Sequence, residues 1–196
     1  MLQSMRPPPT RIKLLDAAGQ VFLAEGFDAA SMDLVRQQAG VSNGSLYHHF
    51  PSKAHLACAL YEHALRDFHA ALLKPIAGKA AAEAGVRGMI RAMLRWVAAH
   101  PDRARLLHEL RRSVEAAGMD GAWAGTNREA CRTLGEWIER QAAAGEMRRM
   151  PLPIWMALVF APATALTLQW VREDAVSIPA AARNELELAA WRSVAP

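Results

Sequence analysis

The chain has 196 residues, a formal net charge of +4 and a pI of about 9.5. Hydrophobic residues make up 52% and charged residues 21% of it, which is typical of a globular protein and excludes a disordered chain. The two cysteines, Cys58 and Cys131, lie far apart in sequence, so they suggest neither a disulfide framework nor a cysteine-based zinc site. We therefore expect a cytoplasmic protein that folds without covalent crosslinks.

Helical periodicity runs along the whole chain, and no strand-like alternation competes with it. Serine caps, glycine terminators and prolines divide this pattern into about nine helices. Four helices are predicted in the first part of the chain, at 11–24, 32–39, 43–49 and about 53–73. Five more are predicted after them, at 82–99, 101–118, 123–144, 154–172 and about 178–191. We expect an all-α fold, with a three-helix domain at 10–56 followed by a helical bundle at 57–196.

One predicted helix invites comparison with a membrane span, because Met150 to Val171 contains no charged residue. At about 1.5 Å of rise per residue, this stretch is long enough to cross a bilayer. Prolines and polar side chains interrupt it, and the chain has no second stretch of this kind. A helix buried in a core or in a subunit interface therefore fits better than a membrane span.

Residues 31–50 have the pattern of a helix-turn-helix motif. Ser31 and Ser42 can each cap a short helix, and Gly40 lies between the helices, where a left-handed backbone permits a tight turn. Apolar residues give the second helix of the motif, at 43–49, an inward face. This leaves short polar groups, a phenol and an imidazole on its outward face. Such groups suit base edges and phosphates. The candidate DNA-binding residues are Ser31, Met32, Ser42, Asn43, Gly44, Ser45, Tyr47, His48 and Lys53.

The charge is unevenly distributed along the chain. Residues 1–60 carry only five basic side chains against four acidic ones. Attraction to DNA must therefore come from the placement of charges and from helix N-termini, rather than from bulk charge. By contrast, residues 87–112 hold seven Arg and two acidic residues, which indicates either a solvated helix face or a surface that attracts an anionic effector.

Tyr47 is expected to contact DNA. The alternative is that its side chain lies in the protein core.

Residues 10–60 resemble the DNA-binding domain of the tetracycline-repressor-like (TetR) regulators. The resemblance rests on Gly-Phe-Asp-Ala-Ala-Ser at 26–31, Ala-Gly-Val-Ser at 39–42 and Gly-Ser-Leu-Tyr-His-His-Phe-Pro-Ser-Lys at 44–53. It covers about a quarter of the chain, and the rest is similar to the family only in length and helical pattern. The resemblance implies a homodimer with one recognition helix per subunit, and a C-terminal bundle whose small-molecule ligand releases the DNA.

Two positions depart from the family's pattern in the second helix. Arg36 stands where a small Ala is usual, and Leu34 stands where a polar residue is more usual. Arg36 can extend along the helix to reach a phosphate, or it can point into solvent.

Methionine and tryptophan side chains recur on successive helices of the predicted bundle. Such apolar, adaptable side chains either fill a simple core or line a pocket for a ligand. The candidate ligand-binding residues are Met89, Met93, Trp96, Leu107, Leu110, Trp123 and Trp137. On the pocket interpretation, the unknown effector is an apolar small molecule.

The last two helices, at 154–172 and 178–194, are expected to pair with their copies in a second subunit as a four-helix bundle. The uncharged stretch has little polar surface, and an exposed apolar patch of that size is unusual on a soluble monomer. A two-fold axis would make this contact self-complementary. The candidate interface residues are Trp155, Leu158, Ala165, Leu168, Leu188 and Trp191.

No catalytic or metal-ligating constellation stands out in the sequence, so we expect neither an enzyme nor a metal or cofactor site. We expect a sequence-specific regulator of transcription that binds a near-palindromic, double-stranded operator as a homodimer. Repression that a small-molecule effector relieves is the favoured interpretation. The alternatives are a DNA-binding activator or architectural protein without a ligand, and an apolar-ligand carrier or membrane-associated helical protein.

Overall fold

The computed structural model describes residues 9–78, 80–116, 118, 121–173 and 178–196, apart from the side chains of residues 112, 116, 121–123 and 172. Within these residues the chain forms nine α-helices and no strand, which confirms the predicted all-α fold. The N-terminal helices are α1 (Pro9–Ala29), α2 (Met32–Ala39), α3 (Asn43–His49) and α4 (Lys53–Leu73). The remaining helices are α5 (Ala82–Ala99), α6 (Pro101–Ala116), α7 (Gly121–Ala143), α8 (Leu152–Arg172) and α9 (Ala180–Arg192).

The helices form two compact units. The N-terminal unit contains Met1–Ala64 and Leu106–Trp123, and the C-terminal unit contains Leu65–Arg105 and Ala124–Pro196. The divisions fall within α4, α6 and α7 rather than in loops. Each unit therefore draws on segments that are distant in sequence.

The N-terminal unit has a core of apolar side chains from α1, α2 and α3. Leu15 and Phe22 of α1 are each 1% exposed, and Val35 of α2 and Leu46 of α3 are fully buried. The regular path of α1 breaks at Gly26, whose φ of 76° lies in the region that favours glycine. This break lies where the sequence predicts the end of the first helix.

The C-terminal unit has a core centred on tryptophans from two helices. Trp137 of α7 and Trp155 of α8 are at most 1% exposed. Nε1 of Trp155 donates a hydrogen bond to Sδ of Met147 at 3.0 Å. Gly85 of α5 lets the Trp137 ring lie directly against the helix backbone, since a Cβ at Gly85 would lie 2.9 Å from Cη2 of the ring. The core is thus closely packed around Trp137.

An ion pair between the buried Glu187 and the partly exposed Arg91 joins α9 to α5. The carboxylate of Glu187, which is 1% exposed, accepts hydrogen bonds from Nε and Nη2 of Arg91. Nε of Arg87 lies 3.7 Å from the same carboxylate. A buried carboxylate is tolerated when one guanidinium group donates two hydrogen bonds to it. The pair therefore fixes the position of α9 along α5.

The helix α8 has one buried side and one exposed side. By length and composition, Leu152–Val171 could cross a membrane, and it is the only such segment in the described part of the chain. The core helix of a soluble protein passes the same test, but only 28% of this segment is buried in the chain. Ile154 and Leu158 are 53% and 42% exposed, and Ala161 and Ala165 follow at helical spacing on the exposed side. The helix therefore presents an apolar face that its own chain does not cover.

Candidate nucleic-acid interface and ligand cavity

Two serines and a glycine set the geometry of the turn between α2 and α3. Oγ of Ser31 accepts a hydrogen bond from N of Leu34 at 3.1 Å, and Oγ of Ser42 accepts one from N of Ser45 at 3.2 Å. Gly40 has a left-handed φ of 63°, and its N–H bonds back to carbonyls of α2. Each cap satisfies backbone groups that a helix end leaves unpaired. The predicted caps and turn are confirmed.

The outward face of α3 is exposed because two anchors on the other face are buried. Leu46 and Phe50 are 0% and 2% exposed, respectively. Tyr47 is 48% exposed, which excludes the core alternative for this side chain. Met32 and Ser45 are half-buried. The other candidate DNA-binding residues of the motif are exposed, namely Ser31, Ser42, Asn43, Gly44 and His48.

Lys53 has a structural position that the sequence did not indicate. Its Nζ donates hydrogen bonds to the carbonyl oxygens of Phe27, Asp28 and Ala30 at 2.8, 3.0 and 3.0 Å. It also lies 4.7 Å from the centroid of the Phe27 ring. A lysine ammonium has three N–H donors, and all three are used here. The assignment of Lys53 as a DNA-binding residue is therefore corrected, because its ammonium instead holds the link between α1 and α2 against the start of α4.

A cavity of about 370 Å³ lies within the C-terminal unit. Its volume is near the lower end of the range for small-molecule pockets, which is about 300–1,000 Å³. Residues of α4, α5, α7 and α8 form its wall. The lining residues are Phe68, His69, Leu72, Leu73, Met93, Asn127, Ala130, Cys131, Leu134, Met156, Phe160 and Thr164. None of these described lining residues carries a formal charge at pH 7.

Of the predicted ligand-binding residues whose side chains the structure describes, only Met93 lines this cavity. Met89 and Trp137 are at most 1% exposed and fill the core of the C-terminal unit. Leu107 and Leu110 belong to the N-terminal unit instead. The predicted pocket is corrected on these positions, because helical periodicity identifies apolar faces but not the places where side chains leave space between them.

Trp96 does not line the cavity, but it packs against one of the residues that do. Its Nε1 donates a hydrogen bond to Oδ2 of Asp67 at 3.0 Å, and the same oxygen accepts one from Arg103 at 2.9 Å. Burial alone would raise the pKa of Asp67, but the hydrogen bonds from Trp96 and Arg103 outweigh it and lower the pKa. The Trp96 ring meets the ring of Phe68, a wall residue, edge-on at 5.1 Å. The side chain of Trp123, the last predicted member, lies outside the described residues.

His69 is a wall residue that sequence reasoning missed. Nδ1 of its imidazole is buried and has no hydrogen-bond partner among the described residues. Burial lowers the pKa of His69, so the ring is neutral at pH 7. A signal was present, since Leu72 and Leu73 follow three and four residues later on the same side of α4.

The residues predicted for a subunit interface divide between core and surface. Trp155 is 0% exposed within its own chain and offers no surface to a partner, so its assignment to the interface is wrong. Leu158 and Ala165 are exposed. The half-buried members of the set are Leu168, Leu188 and Trp191.

The arginine-rich run at 87–112 is largely engaged in contacts within the chain. Arg91 and Arg103 bond to Glu187 and Asp67, which lie outside the run in sequence. The local excess of positive charge is therefore partly neutralised in the fold. This pairing favours a structural role for the run over attraction of an anionic effector.

Residues 14–60 match the model of a protein family described as bacterial regulatory proteins, tetR family. Over these residues the chain is similar to the tetR family. Over 73 residues it is 41% identical to the HTH-type transcriptional regulator UidR of Escherichia coli strain K12, and the match covers 36% of this chain and 36% of UidR. Over 52 residues it is 46% identical to the HTH-type transcriptional activator FasR of Mycolicibacterium smegmatis, covering 26% of this chain and 24% of FasR. The match thus spans about a third or less of either relative.

Similarity over most of the chain is seen at the level of the fold. The transcriptional regulator FadR from Bacillus subtilis, solved in complex with stearoyl-CoA, superposes with a TM-score of 0.74. The alignment covers 91% of this chain and 96% of FadR, with 18% sequence identity. This likeness establishes a shared fold.

The two positions of α2 that depart from the family's pattern are Leu34, which is exposed, and Arg36, which is half-buried. Nε of Arg36 donates a hydrogen bond to Oδ1 of Asp33 at 2.8 Å, and this bond lowers the pKa of the carboxyl group. Leu34 is 42% exposed and lines a surface cleft between α1 and α2. Val35, which lies between them in sequence, is fully buried.

Proposed function

We propose that this chain regulates transcription by binding double-stranded DNA through α3 of its tetR-family domain. The observation that carries this proposal is the exposed face of α3, which the buried Leu46 and Phe50 hold outward. Gly44 leaves this face open, since a Cβ there would meet no atom within 4 Å. Asn43 lies at the start of the helix, where side chains of a recognition helix reach base edges in the major groove.

The proposed operator is a near-palindrome bound by a homodimer. The recognition helices of a helix-turn-helix dimer lie about 34–36 Å apart in successive major grooves. The uncovered apolar face of α8, with Leu158 and Ala165, is the proposed centre of the dimer contact. A two-fold contact through this face would remove apolar surface of both subunits from water.

The proposed mode of action is repression in the cytoplasm, relieved by a small-molecule effector in the cavity of the C-terminal unit. The effector can release DNA only if it binds the DNA-incompetent state more tightly than the DNA-bound state. The complex of FadR with stearoyl-CoA supports a small-molecule ligand for a chain of this fold. The cavity volume of about 370 Å³ supports a compact ligand.

The test of DNA recognition is selection of bound duplexes from a random library, at a stated salt concentration because phosphate contacts depend on it. We expect enrichment of a near-palindrome whose half-sites lie one helical turn apart. Enrichment of no sequence, with weak binding to every duplex, would contradict sequence-specific regulation.

The test of the dimer is a double substitution, Leu158→Glu with Ala165→Glu, which places two carboxylates on the apolar face. Both side chains are exposed in the single chain, so its fold should be unaffected. We expect monomers in analytical ultracentrifugation and at least a hundredfold loss of operator affinity, because a lone domain keeps half of the contacts. Ala143→Glu with Ala144→Glu, at exposed positions around the end of α7, is the matched control. A double variant that stays dimeric would exclude this face as the interface.

Activation is the second candidate, because the relative FasR is described as an activator. A reporter gene placed behind the selected operator separates the two modes. Deletion of the regulator should raise reporter expression if it represses, and should lower expression if it activates.

A further inference from the structure

The structure describes four Lys and Arg side chains between residues 9 and 60, and two of them are engaged within the fold. Lys53 donates to three backbone carbonyls, and Arg36 donates to the carboxylate of Asp33. The other two are Arg11 and Lys13 of α1. No hydrogen bond or ion pair joins either of them to a described residue. These two cations therefore keep their charge available for a partner outside the chain.

Arg11 lies beside the C-terminal end of α3. Its Cζ is 5.3 Å from the centroid of the Phe50 ring, and Phe50 is the residue at which α3 ends. Leu15 and Ala18 follow Arg11 by four and seven residues and are buried, so the stem of Arg11 extends the buried side of α1. The side chain of Arg11 is only partly buried. Its guanidinium group thus has N–H donors for an acceptor outside the chain.

The end of α3 is a place where a DNA phosphate is expected when this helix occupies the major groove. The helix has seven residues and is therefore about 10 Å long. The major groove is about 12 Å wide, so the ends of such a helix lie close to the phosphates that border it. The C-terminal end of a helix carries a partial negative charge, which repels phosphate unless a cation lies beside it.

We propose that Arg11 donates hydrogen bonds to a DNA phosphate next to the C-terminal end of α3, with the Phe50 ring holding its guanidinium group in place. This inference rests on the proposed function, because it adds a backbone contact to the same DNA-binding surface. A guanidinium group suits this contact, since its planar set of N–H donors matches two phosphate oxygens. Phosphate contacts carry no sequence information, so Arg11 should contribute equally to the binding of selected and random duplexes.

The experiment measures the affinity of the full chain for the selected operator and for a random duplex, by fluorescence anisotropy from about 50 to 200 mM KCl. Each lost phosphate contact makes the plot of log affinity against log salt less steep by about 0.9, or about eightfold in affinity at 0.1 M salt. We expect this change in Arg11→Gln, on both duplexes, for each copy of the domain on the DNA. Arg11→Lys keeps the charge and should keep most of the salt dependence. An unchanged slope in Arg11→Gln would overturn the proposal.

Lys13→Gln is the matched control, because it removes the same charge from the same helix. Lys13 is exposed and lies about 200° farther round α1, so it points to a different side. We expect its slope to equal that of the wild type. An equal loss of slope in Lys13→Gln and Arg11→Gln would mean that net charge governs binding, and it would overturn the placement of Arg11 at a phosphate.

A purely structural role of Arg11 gives a different result. If Arg11 only packs on Phe50, Arg11→Gln would lower the midpoint of urea denaturation and leave the salt slope of the folded protein unchanged, which would overturn the proposal. Arg11→Met keeps an apolar stem on the Phe50 ring and gives the same readout should Arg11→Gln fail to fold.

The phosphate contact and the proposed function fail separately in this design. A loss of slope on random duplexes, with no sequence enriched in the selection, would leave the Arg11 contact standing and remove sequence-specific regulation. An enriched operator whose salt slope does not change in Arg11→Gln would leave the proposed function standing and overturn the contact.

Discussion

The candidate DNA-binding surface and the cavity differ in how the chain assembles them. The exposed residues of the DNA-binding surface fall within one stretch, 31–48, whereas the cavity wall takes residues from Phe68 to Thr164. In the first region, caps three residues away and two buried anchors decide which side chains face solvent. In the second, four helices have to pack before a wall exists. Interactions between sequence neighbours therefore predict which residues of α3 are exposed. They do not predict which residues line the cavity.

Close packing beside the cavity makes this contrast sharper. Met89 and Trp137 have the residue types of a ligand pocket, yet both are completely enclosed by protein. Gly85 is part of the reason, because the absence of a Cβ allows the Trp137 ring to approach the α5 backbone. Space for a ligand remains only where the surrounding side chains fail to meet, and residue type does not reveal that place.

The largest expected loss of stability comes from adding a methyl group at Gly85, where the Trp137 ring lies against the helix. In Gly85→Ala the new methyl group would overlap the indole ring, and we expect a loss of about 3 kcal/mol in the free energy of unfolding. Urea denaturation followed by circular dichroism measures it. Gly125→Ala is the matched control, since a Cβ there meets nothing within 4 Å and should stabilise α7 by about 0.5–1 kcal/mol. Equal behaviour of the two variants would mean that Trp137 is loosely packed.

The next effect tests the long-range contact of the N-terminal unit. Lys53→Met keeps the aliphatic stem but removes three hydrogen bonds to backbone carbonyls, so we expect a loss of about 2 kcal/mol in unfolding free energy. The exposed Lys13 provides the control Lys13→Met. If Lys53→Met left stability unchanged and weakened binding to every duplex, Lys53 would belong to the DNA-binding surface after all.

The effect of Asn43→Ala separates base recognition from backbone contact. Asn43 is exposed at the start of α3, and its loss should cost about 1.5 kcal/mol on the selected operator, or roughly tenfold in affinity. Random duplexes should be bound as before. Electrophoretic mobility shifts on both kinds of DNA, with Tyr47→Ala alongside as a substitution expected to weaken both, decide the matter. Equal weakening by Asn43→Ala on both would exclude a base-reading role.

The smallest expected effect is the contribution of His69 to the pH dependence of the unfolding free energy of the C-terminal unit. The pKa of His69 is lowered in the folded chain, so the unfolded chain takes up a proton first as the pH falls below about 6.5. Stability should therefore decrease from pH 7 towards pH 5, by less than about 1.4 kcal/mol per pH unit. Urea denaturation across this range should show a flatter profile for His69→Phe than for His63→Phe, at an exposed position of the same helix. Identical profiles would mean that His69 titrates alike in the folded and unfolded chains.

Much of the fold is predictable from the sequence because its signals act over three or four residues. Ser31, Gly40 and Ser42 mark helix ends through bonds to their own neighbours, and the structure has these bonds at 3.1–3.3 Å. The nine α-helices of the described residues and the outward face of α3 follow from such signals and from the period of 3.6 residues. These interactions need no knowledge of the rest of the chain.

The positions that prediction missed depend on contacts between residues far apart in sequence. Lys53 bonds to carbonyls more than twenty residues earlier, Glu187 to Arg91 ninety-six residues earlier, and the cavity lies among four helices. Trp155 and Leu158 lie within one turn of the same apolar helix, yet one is enclosed and the other is exposed. The sequence shows that a side chain is apolar or charged. Only the packed chain decides whether that side chain meets a partner, water or empty space, because burial depends on the position of every neighbouring helix.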